Sequence, residues 1–211
     1  IKSINRKRGR FPYYTIILDD SNSFKVHKDL ISFKKVKVDQ ELTRDQIQSF
    51  IIDSEKIIIK EKIILLLSYK PRSKSEIYQR LLKHNFNPEC TKGVIKDLED
   101  RGYIDDQSFA ETYAKYLVKE KQLGRIAVYK KLSFHRIPRD TIELITDKLY
   151  DIYKPQIIIN TILKKKQYNN NLKPSIKQKI IQYIKRKGFS WDEISSDLYS
   201  YGKESISISS I

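Results

Sequence analysis

Cysteine is almost missing from this chain: Cys90 stands alone, which excludes an internal disulfide framework and fits a reducing compartment. Methionine is absent altogether, an initiator included, so the numbering is expected to begin inside the translated product. The 6 glycines are spread singly, and none forms the glycine-rich loop that cradles a phosphate. No apolar run approaches the roughly 18–20 residues of a membrane span. The nearest candidate, Ile57 to Leu67, is interrupted by Lys60, Glu61 and Lys62. The basic amino end leads into Tyr13-Tyr14-Thr15-Ile16, which is strand-like and lacks the small-residue cleavage site of a signal peptide. These absences predict a cytoplasmic protein that does not enter a membrane.

Acid is the scarcest ingredient relative to its counterpart. Lysine and arginine number 42 against 26 aspartates and glutamates, a formal charge of +16 with a pI near 9.7. Abundant Ile, Lys, Asn and Tyr are what an AT-rich genome writes, but such a bias does not remove the balancing acids. The excess therefore points to a polyanionic partner, with nucleic acid the default. It is unevenly placed. Residues 1–12 carry Lys2, Arg6, Lys7, Arg8 and Arg10 without an acid, and residues 154–191 carry ten basic side chains, again without one.

Catalytic constellations are missing as well. His27, His84 and His135 are scattered, with no metal-ligand spacing to one another or to Cys90. No serine sits in a nucleophile elbow. Pro88-Glu89 with Lys92 resembles a fragment of a nuclease box whose preceding aspartate is lacking. Asp105-Asp106, without a third carboxylate or a histidine nearby, read as capping residues between Gly102 and the next helix rather than as a metal pair. No enzyme activity, cofactor or metal is expected.

Positively, residues 13–28 read as a β-hairpin. Tyr13–Leu18 is β-branched and aromatic, Asp19–Ser23 is turn chemistry, and Phe24–His27 alternates. Residues 29–38 fit a short helix or a strand equally well. After residue 43 the signals are helical. Thr43/Gln46, Ser73/Glu76 and Ser190/Glu193 have capping-box spacing, Asn87-Pro88 marks another start, and Asp53 and Asp106 are further candidate caps. Gly102 and Gly188 follow helical patterns where a left-handed residue is wanted.

An internal repeat organises the helices. Ile77, Leu81, Phe86, Val94 and Leu98 have the spacing of Val128, Leu132, Ile137, Ile145 and Leu149. A third copy keeps Ile180, Ile184 and Phe189 and then drifts, with Leu198 one residue late. The period leaves room for three helices per copy, with leading helices at 54–68, 106–121 and 154–168. The expected fold is mostly α: a curved array of three tandem three-helix repeats with an N-terminal β-hairpin extension. Its divisions are 1–53 (basic arm, hairpin and connector), 54–105, 106–153 and 154–205 (the repeats), and 206–211 (tail). The alternative is a winged-helix or helix-turn-helix DNA-binding regulator over 73–104, but Phe109, Ala110, Tyr113, Tyr116 and Leu117 continue at helical spacing where a wing should begin. Tyr150, Tyr153, Tyr168, Tyr183, Tyr199 and Tyr201 lie in or near the basic carboxyl-terminal third. They could stack on bases, although core packing is the commoner use of tyrosine in small helical units.

Several strings carry a resemblance. "LLSYKPRSKSEI" (66–77), "LEDRGYIDDQSFAETYA" (98–114), "GRIAVYKKLSFHRIPRDTIELI" (124–145) and "KQKIIQYIKRKGFSWDEI" (177–194) resemble the RecX family across residues 29–200, and the hairpin resembles the extension of its longer members. Lys70 stands where the family usually has arginine, one glycine remains of a pair near Gly124, and Ala127 replaces a common basic residue. The resemblance implies a non-enzymatic, monomeric regulator that binds the RecA recombinase filament on single-stranded DNA and inhibits its extension and activities. Duplex DNA would be a further ligand of the basic surface. Candidate contacts are Lys70, Arg72, Lys74, Arg80 and Lys83 in the first repeat. In the second they are Arg125, Lys130, Lys131 and Arg136. In the third they are Lys164, Lys165, Lys166, Lys177, Lys185, Arg186 and Lys187.

Overall fold

The computed structural model describes residues 1–7 and 13–198, and the chain divides into two compact units, Ile1–Asp105 and Asp106–Ile211. Arg8, Arg10, Tyr199, Tyr201 and the 206–211 tail lie outside the described residues.

The first unit opens with an antiparallel sheet of order β1 (Ser3–Lys7), β2 (Tyr13–Ile17) and β3 (Ser23–His27). The predicted hairpin is β2–β3, with Tyr13 opposite His27 and Ile17 opposite Ser23. Its turn closes as the residue types suggest. Ser21 takes a left-handed φ of 66°, and Asp20 Oδ1 accepts from the Asn22 amide at 3.0 Å. The arm before it contributes a third strand, with Ser3 opposite Ile17. A lone hairpin is marginal in water. Here the sheet gains an extra strand and buries Ile16 and Val26 with Leu30, Val36 and Phe50.

The segment that read equally as helix or strand is helix α1 (Lys28–Phe33), whose first turn is capped by the His27 side chain. Lys35 and Asp39, both at positive φ, terminate that segment. Helix α2 (Arg44–Tyr69) is longer than the expected 54–68, because the Thr43/Gln46 capping box starts it ten residues earlier. The extra length has a packing reason. Phe50 joins the core under the sheet, whereas Ile59 and Ile63 join the core made with α3 (Lys74–Leu82) and α4 (Pro88–Asp100). Asp53 is therefore not a cap. It lies inside α2 and accepts from Lys34 Nζ at 2.9 Å.

Ser73 and Asn87 cap α3 and α4 as their spacing predicts. Ile77, Leu81 and Leu98 are sealed from solvent, and each such side chain contributes about 1.5–3 kcal/mol of burial. Gly102 ends this stretch at φ 73°. No strand follows β3 among the described residues, so Gly102-Tyr103-Ile104 does not lead into a wing.

The second unit contains α5 (Asp106–Lys119), α6 (Arg125–Phe134), α7 (Arg139–Ile152), α8 (Pro155–Lys165), α9 (Pro174–Arg186) and a helix over 191–198, here α10. Asp106 is the first residue inside α5 rather than the residue before it. One core holds Val128, Leu132, Ile137 and Ile145 from the second copy of the pattern and Ile180, Ile184 and Phe189 from the third. Ser190 and Glu193 exchange the two hydrogen bonds of a capping box ahead of α10. The two copies meet where Gly124 donates its amide to Lys187 O at 2.8 Å and Ile126 donates to Gly188 O at 3.2 Å. A Cβ on Gly124 would lie 2.4 Å from Gly188 O, so this contact depends on both glycines.

Candidate polyanion-binding surface

The sixteen sequence-predicted side chains fall into two kinds, those the fold uses and those it leaves charged at the surface. The first-unit set belongs largely to the first kind. Arg72 is buried, donates Nε to Leu66 O at 3.1 Å and pairs with Glu76. It fastens the end of α2 to the start of α3. Arg80 donates to the same Glu76 at 3.0 Å. Burial pushes the Glu76 carboxyl up, but the Arg80 bond and the charges of Arg72 and Lys70 outweigh it and hold the group below its ordinary range. Lys74 pairs with Glu99 at 2.6 Å. Lys70 and Lys83 are exposed at the ends of α2 and α3. Lys83 and Arg80 edge a groove of about 650 Å³ between α2 and α3, floored by Leu65, Leu66 and Tyr69.

In the second copy, Arg125 lies over the Tyr150 ring with Cζ 5.3 Å from its centre, and pairs with Asp147. Tyr150 is buried and donates its hydroxyl to Leu123 O at 2.6 Å. Desolvation raises its phenol well above the ordinary value, so it stays a neutral donor. Arg125 is thus committed to the packing of α6 on α7. Lys130, Lys131 and Arg136 are exposed, Arg136 at φ 59° in the turn after α6.

The third-copy residues behave differently. Lys164 and Lys165 occupy the last turn of α8, and Lys185 and Arg186 the last turn of α9. Cations at helix C-termini offset the macrodipole, which accounts for part of their placement. It does not account for the rest. Lys166 and Lys187 both lie over one ring, Tyr183, at 4.8 and 5.6 Å, and Lys185 lies 4.5 Å from the centre of Trp191. Lys166 of the first cluster and Lys187 of the second, twenty-one residues apart along the chain, therefore meet over one ring, and Trp191 under Lys185 is 52% exposed. Among the described residues, none of Lys164, Lys165, Lys166, Lys185 and Arg186 forms an ion pair. Lys187 also donates to Lys121 O, and Lys121 lies over Tyr116 at 5.3 Å. Lys177 is half-buried and holds the Asn170 carbonyl at 2.8 Å.

Sequence reasoning named Tyr183 as a ring for bases without placing it under these cations, and it missed Trp191. Trp191 was not singled out, although the only tryptophan of the chain directly follows the Lys185–Lys187 cluster. Tyr153, Tyr168 and Tyr183 pack against the core. Of these, Tyr183 also presents a face to cations.

No protein-family model matches the chain. The regulatory protein RecX of Listeria innocua is 27% identical over 197 residues, covering 90% of this chain and 71% of that protein. Over nine-tenths of its length the chain is thus similar to regulatory proteins named RecX. The RecX protein of Bacillus subtilis gives the same identity over 199 residues, 93% of this chain and 75% of the relative. A crystal structure of regulatory protein RecX superposes with a TM-score of 0.68 at 21% identity, covering 93% of this chain and 97% of that one. RecX from Lactobacillus salivarius gives 0.58 at 21% identity over 70% of this chain. These two structures share the mostly helical fold of this chain. Among the described residues no helix is long and apolar enough to cross a membrane.

Proposed function

We propose that this chain belongs to the RecX family and acts in the cytoplasm as a monomeric regulator of the RecA recombinase, binding its filament on single-stranded DNA and limiting filament extension and activity without a catalytic step. The observation that carries the reading is the meeting of Lys166 and Lys187 over Tyr183, with Lys185 over Trp191, in two basic clusters that have no acid among them. Two ammonium groups on one ring repel each other. The ring quadrupole offsets only part of that repulsion, about 0.5–1 kcal/mol per exposed contact. A polyanion relieves the remainder, and an exposed indole beside it offers a face for an unpaired base.

Phosphate contacts alone give dissociation constants of about 10⁻⁴–10⁻⁶ M at physiological salt. Selective recognition of a coated strand must therefore come from protein contacts. We place the division of the chain into repeats at 54–105, 106–153 and 154–205, so that the acid-free stretch belongs to the third. Lys70, Lys83, Lys130, Lys131 and Arg136 remain accessible for such contacts, whereas Arg72 and Arg125 serve chiefly to position them.

The test is anisotropy of labelled single-stranded DNA, bare and coated with the cognate recombinase, over a salt series. Tighter binding to the coated strand that survives moderate salt is the expected result. Equal, salt-sensitive binding to both would overturn the reading and leave a general nucleic-acid ligand.

A further inference from the structure

His27 is fully buried at the end of β3, yet it faces two carboxylates from other elements. Asp29, in the first turn of α1, puts Oδ2 3.6 Å from Nδ1, and Glu61 of α2 puts Oε2 3.4 Å from Nε2. One ligand atom from each of the three residues lies within 4.8 Å of the others. The Asp29 amide donates to Nδ1 at 3.3 Å, whereas buried Nε2 has no hydrogen-bond partner despite the nearness of Glu61.

That mismatch is informative. A hydrogen bond wants the oxygen on the N–H axis. A metal ion takes that axis itself and wants the oxygen off it. Two donors each about 2.1 Å from a tetrahedral ion are separated by about 3.4 Å, the distance found between Nε2 and Glu61. Among the described residues neither carboxylate has a lysine or arginine partner, so the site concentrates negative charge in a chain of +16. Both carboxylates are partly exposed and give an ion a way in. His27 also anchors its strand by donating its amide to the buried Ser54 Oγ at 2.8 Å.

We propose that His27, Asp29 and Glu61 form a divalent-cation site of the zinc class that ties the sheet and α1 to α2. One imidazole nitrogen with two carboxylates suits a borderline cation and not Mg²⁺, which keeps an oxygen shell.

The test uses the full chain with Zn²⁺ or Mg²⁺ as probe. Thermal unfolding is followed by circular dichroism, and the histidine ring nitrogens by long-range proton–nitrogen NMR. Zn²⁺ but not Mg²⁺ is expected to raise the melting temperature saturably. Glu61→Gln and Asp29→Asn are expected to lose most of that rise, and Nε2 of His27 should take the metal-bound shift. Should a variant fail to fold, the wild-type spectrum decides. A response confined to His84 or His135, an equal rise with Mg²⁺, or no rise at all would overturn the site.

Discussion

Gly124 and Gly102 show how differently two glycines can matter. Gly124 has an ordinary extended backbone, φ −83° and ψ 167°, which alanine adopts without strain. Its constraint is space, because an added methyl would meet Gly188 O at 2.4 Å and Phe189 N at 2.6 Å, both backbone atoms that cannot swing aside. Gly102 has the reverse problem, a left-handed φ of 73° with nothing within 4 Å of its Cβ position. Gly124→Ala is therefore expected to cost about 1–3 kcal/mol by overpacking, and Gly102→Ala about 1 kcal/mol by backbone strain. Urea denaturation of the two variants checks the order. A Gly124→Ala protein as stable as wild type would show that the contact between the second and third copies yields freely. The chain itself announces Gly102, which follows a helical pattern. It does not announce Gly124, whose partner lies sixty-four residues on. Arg72 and Arg125 were obscured for the same reason, since a basic residue looks alike in sequence whether it meets solvent or a buried carbonyl.

Helices were legible wherever their start was written in local chemistry. Thr43, Ser73, Asn87 and Ser190 all cap where their spacing says they should, because an N-cap is satisfied within four residues. The β1 strand was not, since its pairing depends on a neighbour rather than on its own basic sequence. Element α10 explains the drift of the third copy. Steps of 51 and then 52 residues carry Val94 and Ile145 onto Asp197, so a carboxyl occupies an apolar position of the helix. It is buried, and desolvation with the nearby charge of Glu193 raises its pKa to about 6. The folded state thus favours the protonated form. Stability is full below the unfolded value of about 3.9 and declines as pH rises towards 6. Asp197→Asn is expected to stabilise the protein by about 1–3 kcal/mol at neutral pH and to change little in acid. Denaturation midpoints on both sides of the folded value test this, and equal midpoints at neutral pH would mean that the carboxylate is well solvated.

For the whole molecule the governing quantity is where the +16 resides. Much of the basic charge in the first unit is spent on Glu76, Glu99 and Asp53, while the stretch from Pro155 to Trp191 has no acid to spend it on. The charge imbalance was legible from composition and its location from a count of acids. The rings beneath it came only with folding, because Tyr183 and Trp191 meet lysines from two helices. Reversing Lys164–Lys166 or Lys185–Lys187 to glutamate should therefore weaken single-strand binding far more than reversing Arg80 and Lys74, which already have acidic partners. If each cluster neutralises about three phosphates, its loss should reduce the slope of log affinity against log salt by about 2. Trp191→Ala should lower affinity by about 1–3 kcal/mol through lost stacking while leaving that slope intact, since an indole releases no counterions. Anisotropy across a salt series separates the two effects. A slope unchanged by both cluster reversals would move the electropositive face elsewhere, with Lys130, Lys131 and Arg136 the next residues to reverse.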